Sequence, residues 1–378
     1  MILKAIYLQL ALFFLLCVSS FFVFAGEFAG DYSKRPDVIA FIQEMHDRNG
    51  FDKKSLAAVF AQVEKKPKIL DAISKPAESK MEWVAYRRIF LTDARIDGGV
   101  TFWRAHKSEL EAISQRYQVD PAIIVAIIGV ETSYGKNMGS YRVVDALTTL
   151  AFDYPRRSKF FRQELEHFLL LSREQKQDPL SLKGSYAGAM GYGQFMPSSF
   201  RNFAVDFNGD GFADIWNNPG DAAASVANYF QKHGWKMNDP VLVRAKVSKN
   251  FDVSLLDSGL KPQQALSDLA SRGVSPVAGG LSGSRNAVLI KQRGELGDEF
   301  WLGLNNFYAI TRYNQSTMYA MATHQLSDVI KSRYMSSLQS REPNGLGKVK
   351  KPVPLVVPVQ PVKPAPLVQP TRKTTGVF

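Results

Sequence analysis

The stretch that most constrains this chain runs from Asp120 to Gly135, DPAIIVAIIGVETSYG. Asp120 offers a carboxylate to the free N–H groups of a helix start. Pro121 follows at the first helical position, where its missing donor costs nothing. Ala122 to Val130 are apolar on every face, which predicts a buried helix rather than an amphipathic one. At its far end one carboxylate, Glu131, precedes Thr132, Ser133, Tyr134 and Gly135, a glycine suited to ending the helix. A lone glutamate there is disfavoured twice: apolar neighbours desolvate it, and the negative end of the helix dipole repels its charge. Both effects raise its pKa from about 4.3 toward about 6–7, where a carboxylic acid can donate a proton at neutral pH. The plainer reading is a buried glutamate paired with an arginine or a helix end.

With 378 residues the chain has room for a large core and two or three domains. Its net charge is +12, and Lys348, Lys350, Lys351, Lys363, Arg372 and Lys373 at the end face no acid. The remainder is moderately basic, which suits an acidic polymer such as cell wall or an anionic membrane surface. No nucleic-acid motif accompanies the charge, so nucleic acid is not an expected partner. Lys4, the apolar run Ala5 to Phe24 and the small residues of Val23-Phe24-Ala25 read as an export signal over 1–25, cleaved before Gly26. The run is about the 20 residues that span a bilayer, so an uncleaved anchor is the other reading. Cys17, the one cysteine, follows Leu16, which is larger than the residue that lipid attachment requires there. A cleaved chain would hold no cysteine and would rely on its core and any metal it binds.

Apolar residues at helical spacing mark Pro36–Asn49, Ser55–Glu64, Glu78–Thr92 and Phe102–Tyr117, so residues 32–110 read as a helical domain. Val143–Phe152, Lys159–Ser172, Asp221–His233 and Thr317–Tyr334 continue the pattern. Between them, 240–300 has strand-like runs at Val241-Leu242-Val243, Phe251-Asp252-Val253 and Ala287–Ile290, separated by glycine turns. Residues 341–378 are rich in Pro, Val and Lys without periodicity and read as a disordered tail. The expected fold class is therefore mainly α (α+β).

Two segments could carry chemistry beside Glu131. GSYAGAMGYGQFMP, Gly184 to Pro197, has four glycines interleaved with Tyr192, Phe195 and Met196. It suits a ligand platform, although glycines also let helices pack. In Asp206-Phe-Asn208-Gly-Asp210-Gly-Phe212-Ala-Asp214, oxygen groups stand at loop positions one, three, five and nine, with the Phe212 carbonyl at seven. This spacing wraps a cation of calcium's size, or else forms a metal-free turn. Position twelve is Asn217, and Asp221 is the acid that could close a longer loop. A structural staple fits better than a sensor, because the usual closing Glu is missing. No serine elbow, zinc spacing or phosphate loop is present, and His167 and His233 read as surface or packing residues.

These motifs, with Glu131–Gly135 and Tyr313-Asn314, resemble the membrane-bound lytic murein transglycosylase B family over about Tyr32 to Tyr334. The resemblance implies a lysozyme-like core, 111–239 and 301–340, with an N-terminal α domain and a small β-containing insertion. It implies cleavage of the β-1,4 bond between N-acetylmuramic acid and N-acetylglucosamine in peptidoglycan, leaving 1,6-anhydro ends. By the same resemblance Glu131 is the acid/base and Ser185 supports the acetamido group. Tyr86, Gln194, Phe195, Tyr229, Tyr313, Asn314 and Tyr319 are cleft residues. Arg156 and Arg157 suit peptide-stem carboxylates. Asp206, Asn208, Asp210, Phe212, Asp214 and Asp221 would hold calcium, with no organic cofactor. The expected enzyme is a periplasmic monomer acting on glycan strands, associated with the inner or outer membrane, and by analogy working beside wall synthases. A lysozyme-type hydrolase and a non-catalytic wall-binding protein are the alternatives.

Overall fold

The apolar helix around which the chain is read forms as expected. In the computed structural model, which describes residues 30–74 and 81–339, it spans Pro121–Thr132. The expected signal or anchor over 1–25, Cys17, Glu78 to Lys80 and the tail 341–378 lie outside the described residues. Helices precede it in the order α1 (Pro36–Asn49), α2 (Lys53–Phe60), α3 (Pro67–Ser74), α4 (Trp83–Phe90), α5 (Asp93–Ala105) and α6 (Lys107–Tyr117), so it is α7. Asp120 accepts the Ala122 N–H at 2.9 Å, and Ala122 to Gly129 are all buried. Each fully buried Ile or Val contributes about 1.5–3 kcal/mol. The helix packs against α5, α6 and α11 (Pro219–Lys232).

The helix ends earlier than Gly135. Ser133, at φ 51°, is its left-handed cap, and Tyr134 and Gly135 follow with φ of 64° and 86°. Tertiary contact holds two non-glycine residues in this region. Tyr134 donates its N–H to the Ile128 carbonyl at 3.3 Å and its hydroxyl to the Arg95 carbonyl at 2.7 Å. Its ring occupies the space over Gly129, where a Cβ would stand 2.5 Å from the Tyr134 oxygen. Because that hydroxyl is pinned, Gly129→Ala should cost about 1–3 kcal/mol by overpacking, measured by denaturant unfolding.

Two expected helices change shape. Glu78–Thr92 contracts to α4, and Thr92 starts a separate helix, α5, by accepting the Arg95 N–H at 3.3 Å. Phe102–Tyr117 is cut at His106, where α5 ends and α6 begins. α8 (Val143–Asp153) and α9 (Ser158–Glu174) pack together and share an apolar cluster with α1, α2 and α3. α10 (Pro197–Phe203) and α11 follow, and the latter belongs to both this cluster and the one around α7.

Short strands β1 (Tyr141–Arg142) and β2 (Lys183–Gly184) pair with each other. The later strands are β3 (Leu242–Val247), β4 (Gln264–Ala265), β5 (Val274–Pro276), β6 (Asn286–Gly294) and β7 (Gly297–Gly303). They form one antiparallel sheet in the order β4-β6-β7-β3-β5, with Ile290 opposite Trp301. A third apolar cluster lies here, including Leu255, Leu269, Leu289 and Leu302 beside α12 (Leu266–Ser271). Phe251 to Val253 is not a strand. Asp252 accepts the Ser254 N–H at 3.0 Å, starting a 3-10 turn, and pairs with Arg272 at 2.6 Å. An Asx cap competes with strand pairing for the same backbone. α13 (Asn305–Tyr313) and α14 (Thr317–Gln339) complete the described chain. The described residues up to Ser337 form one compact unit. No described helix is long and apolar enough to cross a membrane.

Candidate active site

Glu131 is the penultimate residue of α7 and is half-buried. Tyr319, near the start of α14 and 188 residues further along, donates its hydroxyl to Glu131 Oε1 at 2.6 Å. The carboxylate is therefore not enclosed by apolar neighbours alone, as the bare sequence suggested. Burial pushes the Tyr319 phenol well above its ordinary pKa, and the negative charge of Glu131 adds to the shift, so Tyr319 stays a donor. Tyr86, buried on α4, also acts on Tyr319.

Tyr313, at the end of α13, donates to the Gly193 carbonyl at 2.5 Å. Its pKa too is raised by burial first and then by the negative charge of Glu131. Tyr229 on α11 donates to the Arg312 carbonyl at 2.5 Å and is pushed up to about 12 by burial. Phe195 lies 5.9 Å from the Tyr313 ring and 6.0 Å from Tyr229, and those two rings are 4.8 Å apart. His233 stacks on Tyr229 at 4.0 Å, a packing residue as expected.

The glycine-rich segment is a set of tight turns braced against α7. Ser185 donates its N–H to the Ala189 carbonyl at 2.8 Å, and its hydroxyl oxygen accepts the Ala189 N–H at 3.0 Å. Met190 and Phe195 exchange two backbone bonds of 2.9 Å. At Gly193 a Cβ would lie 2.8 Å from the Tyr313 oxygen, so a side chain there would disturb the Tyr313 bond. Gln194, at φ 51°, donates to the carbonyls of Gly191 at 3.0 Å and Met138 at 3.2 Å. The Thr132 hydroxyl lies 3.0 Å from the Tyr192 carbonyl and accepts the Gly135 N–H at 3.0 Å, tying the segment to the end of α7.

The structure thus brings together Glu131, Tyr319, Tyr313, Tyr229, Phe195 and, through Tyr319, Tyr86. Ser185 and Gln194 join through the turns. Asn314 is exposed just past α13. Arg156 and Arg157 are exposed in the 3-10 turn Pro155–Arg157, where Arg157 lies over the Phe160 ring at 4.3 Å.

The Asp206 loop is a separate oxygen-rich centre. Asp206 accepts the N–H groups of Gly209 and Gly211, each at 2.7 Å. Asn208 donates to Asp210 at 2.8 Å, and the Phe212 carbonyl accepts the Asp214 N–H at 3.0 Å. Asp214 accepts the N–H groups of Trp216 at 3.0 Å and Asn217 at 2.9 Å. Asp221, fully buried on α11, accepts Phe207 N–H at 3.0 Å and Asp214 N–H at 2.9 Å. Burial raises its pKa, and the charge of Asp206 raises it further. Among the described residues, no three His, Cys, Asp or Glu side chains form a ready metal-binding group. Neutral oxygens complete the set, and the mutual repulsion of Asp206 and Asp221 is what a hard divalent cation relieves, so the donor chemistry fits calcium.

The family model described as the transglycosylase SLT domain matches residues 33–328. The chain belongs to this transglycosylase family. It is 43% identical over 313 residues to membrane-bound lytic murein transglycosylase B of Escherichia coli (strain K12), covering 80% of this chain and 85% of that one. Its structure resembles soluble lytic transglycosylase SltB1 from Pseudomonas aeruginosa, with 50% identity, a TM-score of 0.75, and 79% and 99% of the two chains covered. It also resembles E. coli lytic transglycosylase Slt35 in complex with calcium, at 42% identity and a TM-score of 0.74, over 81% of this chain and 96% of that one. The mainly helical, lysozyme-like fold expected from the sequence stands. One residue of this transglycosylase escaped sequence reading. Arg95 bonds the end of α7, and its partners are backbone carbonyls that no motif encodes.

Proposed function

We propose that this peptidoglycan lytic transglycosylase cleaves the β-1,4 bond between N-acetylmuramic acid and N-acetylglucosamine and leaves a 1,6-anhydro end, with Glu131 as its single acid and base. The observation that carries the reading is the Glu131–Tyr319 hydrogen bond within the tyrosine cluster, where the charge of Glu131 also acts on Tyr313. Two-carboxylate glycosidases need a second acid as nucleophile or base. Here the substrate supplies that function. Glu131 protonates the leaving glycosidic oxygen as the acetamido carbonyl attacks the anomeric carbon and the C–O bond breaks. The resulting Glu131 carboxylate then takes the proton of the 6-hydroxyl, whose oxygen attacks the anomeric carbon and displaces the acetamido oxygen. Holding that hydroxyl where water would stand decides the product.

Ser185, whose oxygen already accepts a backbone N–H, keeps its proton to donate to the acetamido group. Tyr86, Gln194, Phe195, Tyr229, Tyr313, Asn314 and Tyr319 line the glycan cleft. Tyr229 and Tyr313 spend their hydroxyls on carbonyls and so serve as walls. Arg156 and Arg157, exposed, receive peptide-stem carboxylates. When bound, calcium, held by Asp206, Asn208, Asp210, the Phe212 carbonyl, Asp214 and Asp221, would staple the loop to α11. The α domain over 32–110, the core over 111–239 and 301–340, and the β-containing insertion over 240–300 divide the work of this periplasmic, envelope-associated monomer. Strand β7 runs to Gly303, a few residues past that insertion's boundary.

Mass spectrometry of digested peptidoglycan tests the reaction. Anhydro ends are the expected product. Reducing ends would identify a hydrolase, and intact strands a binding protein, and either result would overturn the proposal.

A further inference from the structure

Arg95 approaches α7 from α5. Its Nη1 donates to the Gly129 carbonyl at 2.6 Å and the Val130 carbonyl at 3.2 Å, in the last turn and directly before Glu131. The guanidinium lies 5.1 Å from the Phe90 ring, and the Arg95 carbonyl accepts the Tyr134 hydroxyl at 2.7 Å. The side chain is half-buried, and burial lowers its pKa, yet an arginine remains charged. Holding a desolvated cation here needs compensation, and the helix carbonyls provide it. In return, a cation at the negative end of a helix offsets the dipole that would repel a carboxylate.

We infer that Arg95 is a positioning residue of the transglycosylase reaction: it clamps the last turn of α7 and offsets that helix's negative end, so that Glu131 can exist both as acid and as carboxylate. The inference rests on Glu131 being the acid and base. Among the described residues, the titratable groups facing this region from other elements include Tyr86 on α4, Tyr134 after α7, Tyr313 at the end of α13, with Tyr229 behind it, and Tyr319 on α14. Burial raises the pKa of Tyr134, Tyr229, Tyr313 and Tyr319, so these phenols stay neutral through the assay range. Arg87 and Arg88 of α4 are turned to Gln325 and Glu295.

The reaction starts from protonated Glu131, so its rate falls as pH rises through the pKa of that group. Without the Arg95 charge the carboxylate is less favoured and the falling limb moves to higher pH. The test is kcat and KM against pH on soluble glycan strands for Arg95→Gln, which keeps an N–H donor but not the charge, and Arg95→Lys, which keeps the charge. Arg95→Gln is expected to lower kcat about tenfold with KM within about twofold, and to raise the limb by about 0.5–1 pH unit. Arg95→Lys should hold the wild-type limb and lose about threefold in kcat, because a compact ammonium bridges two carbonyls less well. A wild-type limb in Arg95→Gln, whatever its rate, overturns the inference, as does a wild-type kcat in Arg95→Lys. If Arg95→Gln does not fold, as judged by thermal unfolding, the Arg95→Lys result decides alone. Glu131→Gln in the same assay separates the two readings. Activity in that variant removes the acid/base assignment itself, whereas an inert Glu131→Gln with an unmoved Arg95→Gln limb removes only Arg95's part.

Discussion

Glu131→Gln should lower kcat by about 10²- to 10⁴-fold while the protein keeps its fold, because general acid–base transfer by one positioned group is worth about that much. Glutamine keeps the shape and can still accept the Tyr319 hydroxyl through its carbonyl, so the 2.6 Å contact has a neutral replacement. It can neither release a proton to the leaving oxygen nor take one from the 6-hydroxyl. Both half-steps should fail together. The check is single-turnover release of anhydro-ended fragments beside a thermal unfolding curve. Turnover near wild type would move the chemistry to another group.

The largest effect on stability is expected at Asp221. This fully buried carboxylate accepts two backbone N–H groups, from Phe207 and Asp214, and so fastens the loop to α11. Asp221→Ala leaves both donors unsatisfied, at about 1–3 kcal/mol each, for a total of about 2–6 kcal/mol in denaturant unfolding. Calcium bound as proposed should add a separable contribution. At a thousandfold excess over Kd, a ligand that binds only the folded state stabilises it by about 4 kcal/mol. Chelation should therefore lower the stability of the wild type and change Asp221→Ala little, since that variant lacks the proposed closing ligand. A wild type indifferent to chelator would remove calcium from the loop and leave the hydrogen-bond cost standing.

The sequence made α7 legible because its signals are local: a capping Asp120, Pro121, an uninterrupted apolar run and one acid at the end. The Asp206 loop was legible for the same reason, since oxygen spacing is itself a sequence property. α5 was hidden by Gly98 and Gly99, poor helix formers whose value lies elsewhere, because Tyr134 packs where their side chains would be. The cap at Ser133 was misassigned to Gly135 because tertiary bonds from Tyr134 hold a left-handed turn that propensity reserves for glycine. The apparent strand at Phe251 failed through the Asp252 cap. Tyr319 stood among the cleft residues only by family resemblance, since nothing local links a tyrosine to a glutamate 188 positions away.

That separation has a consequence for synthesis. Glu131 and its phenol partner meet only when α14 docks, so a chain stopped or clipped anywhere before Tyr319 holds the acid without its donor. If Glu131 acts as proposed, a chain ended before Tyr319 is expected to lack lytic activity. Such a shortened copy would keep α7 intact and is the direct test of whether the acid needs its phenol partner.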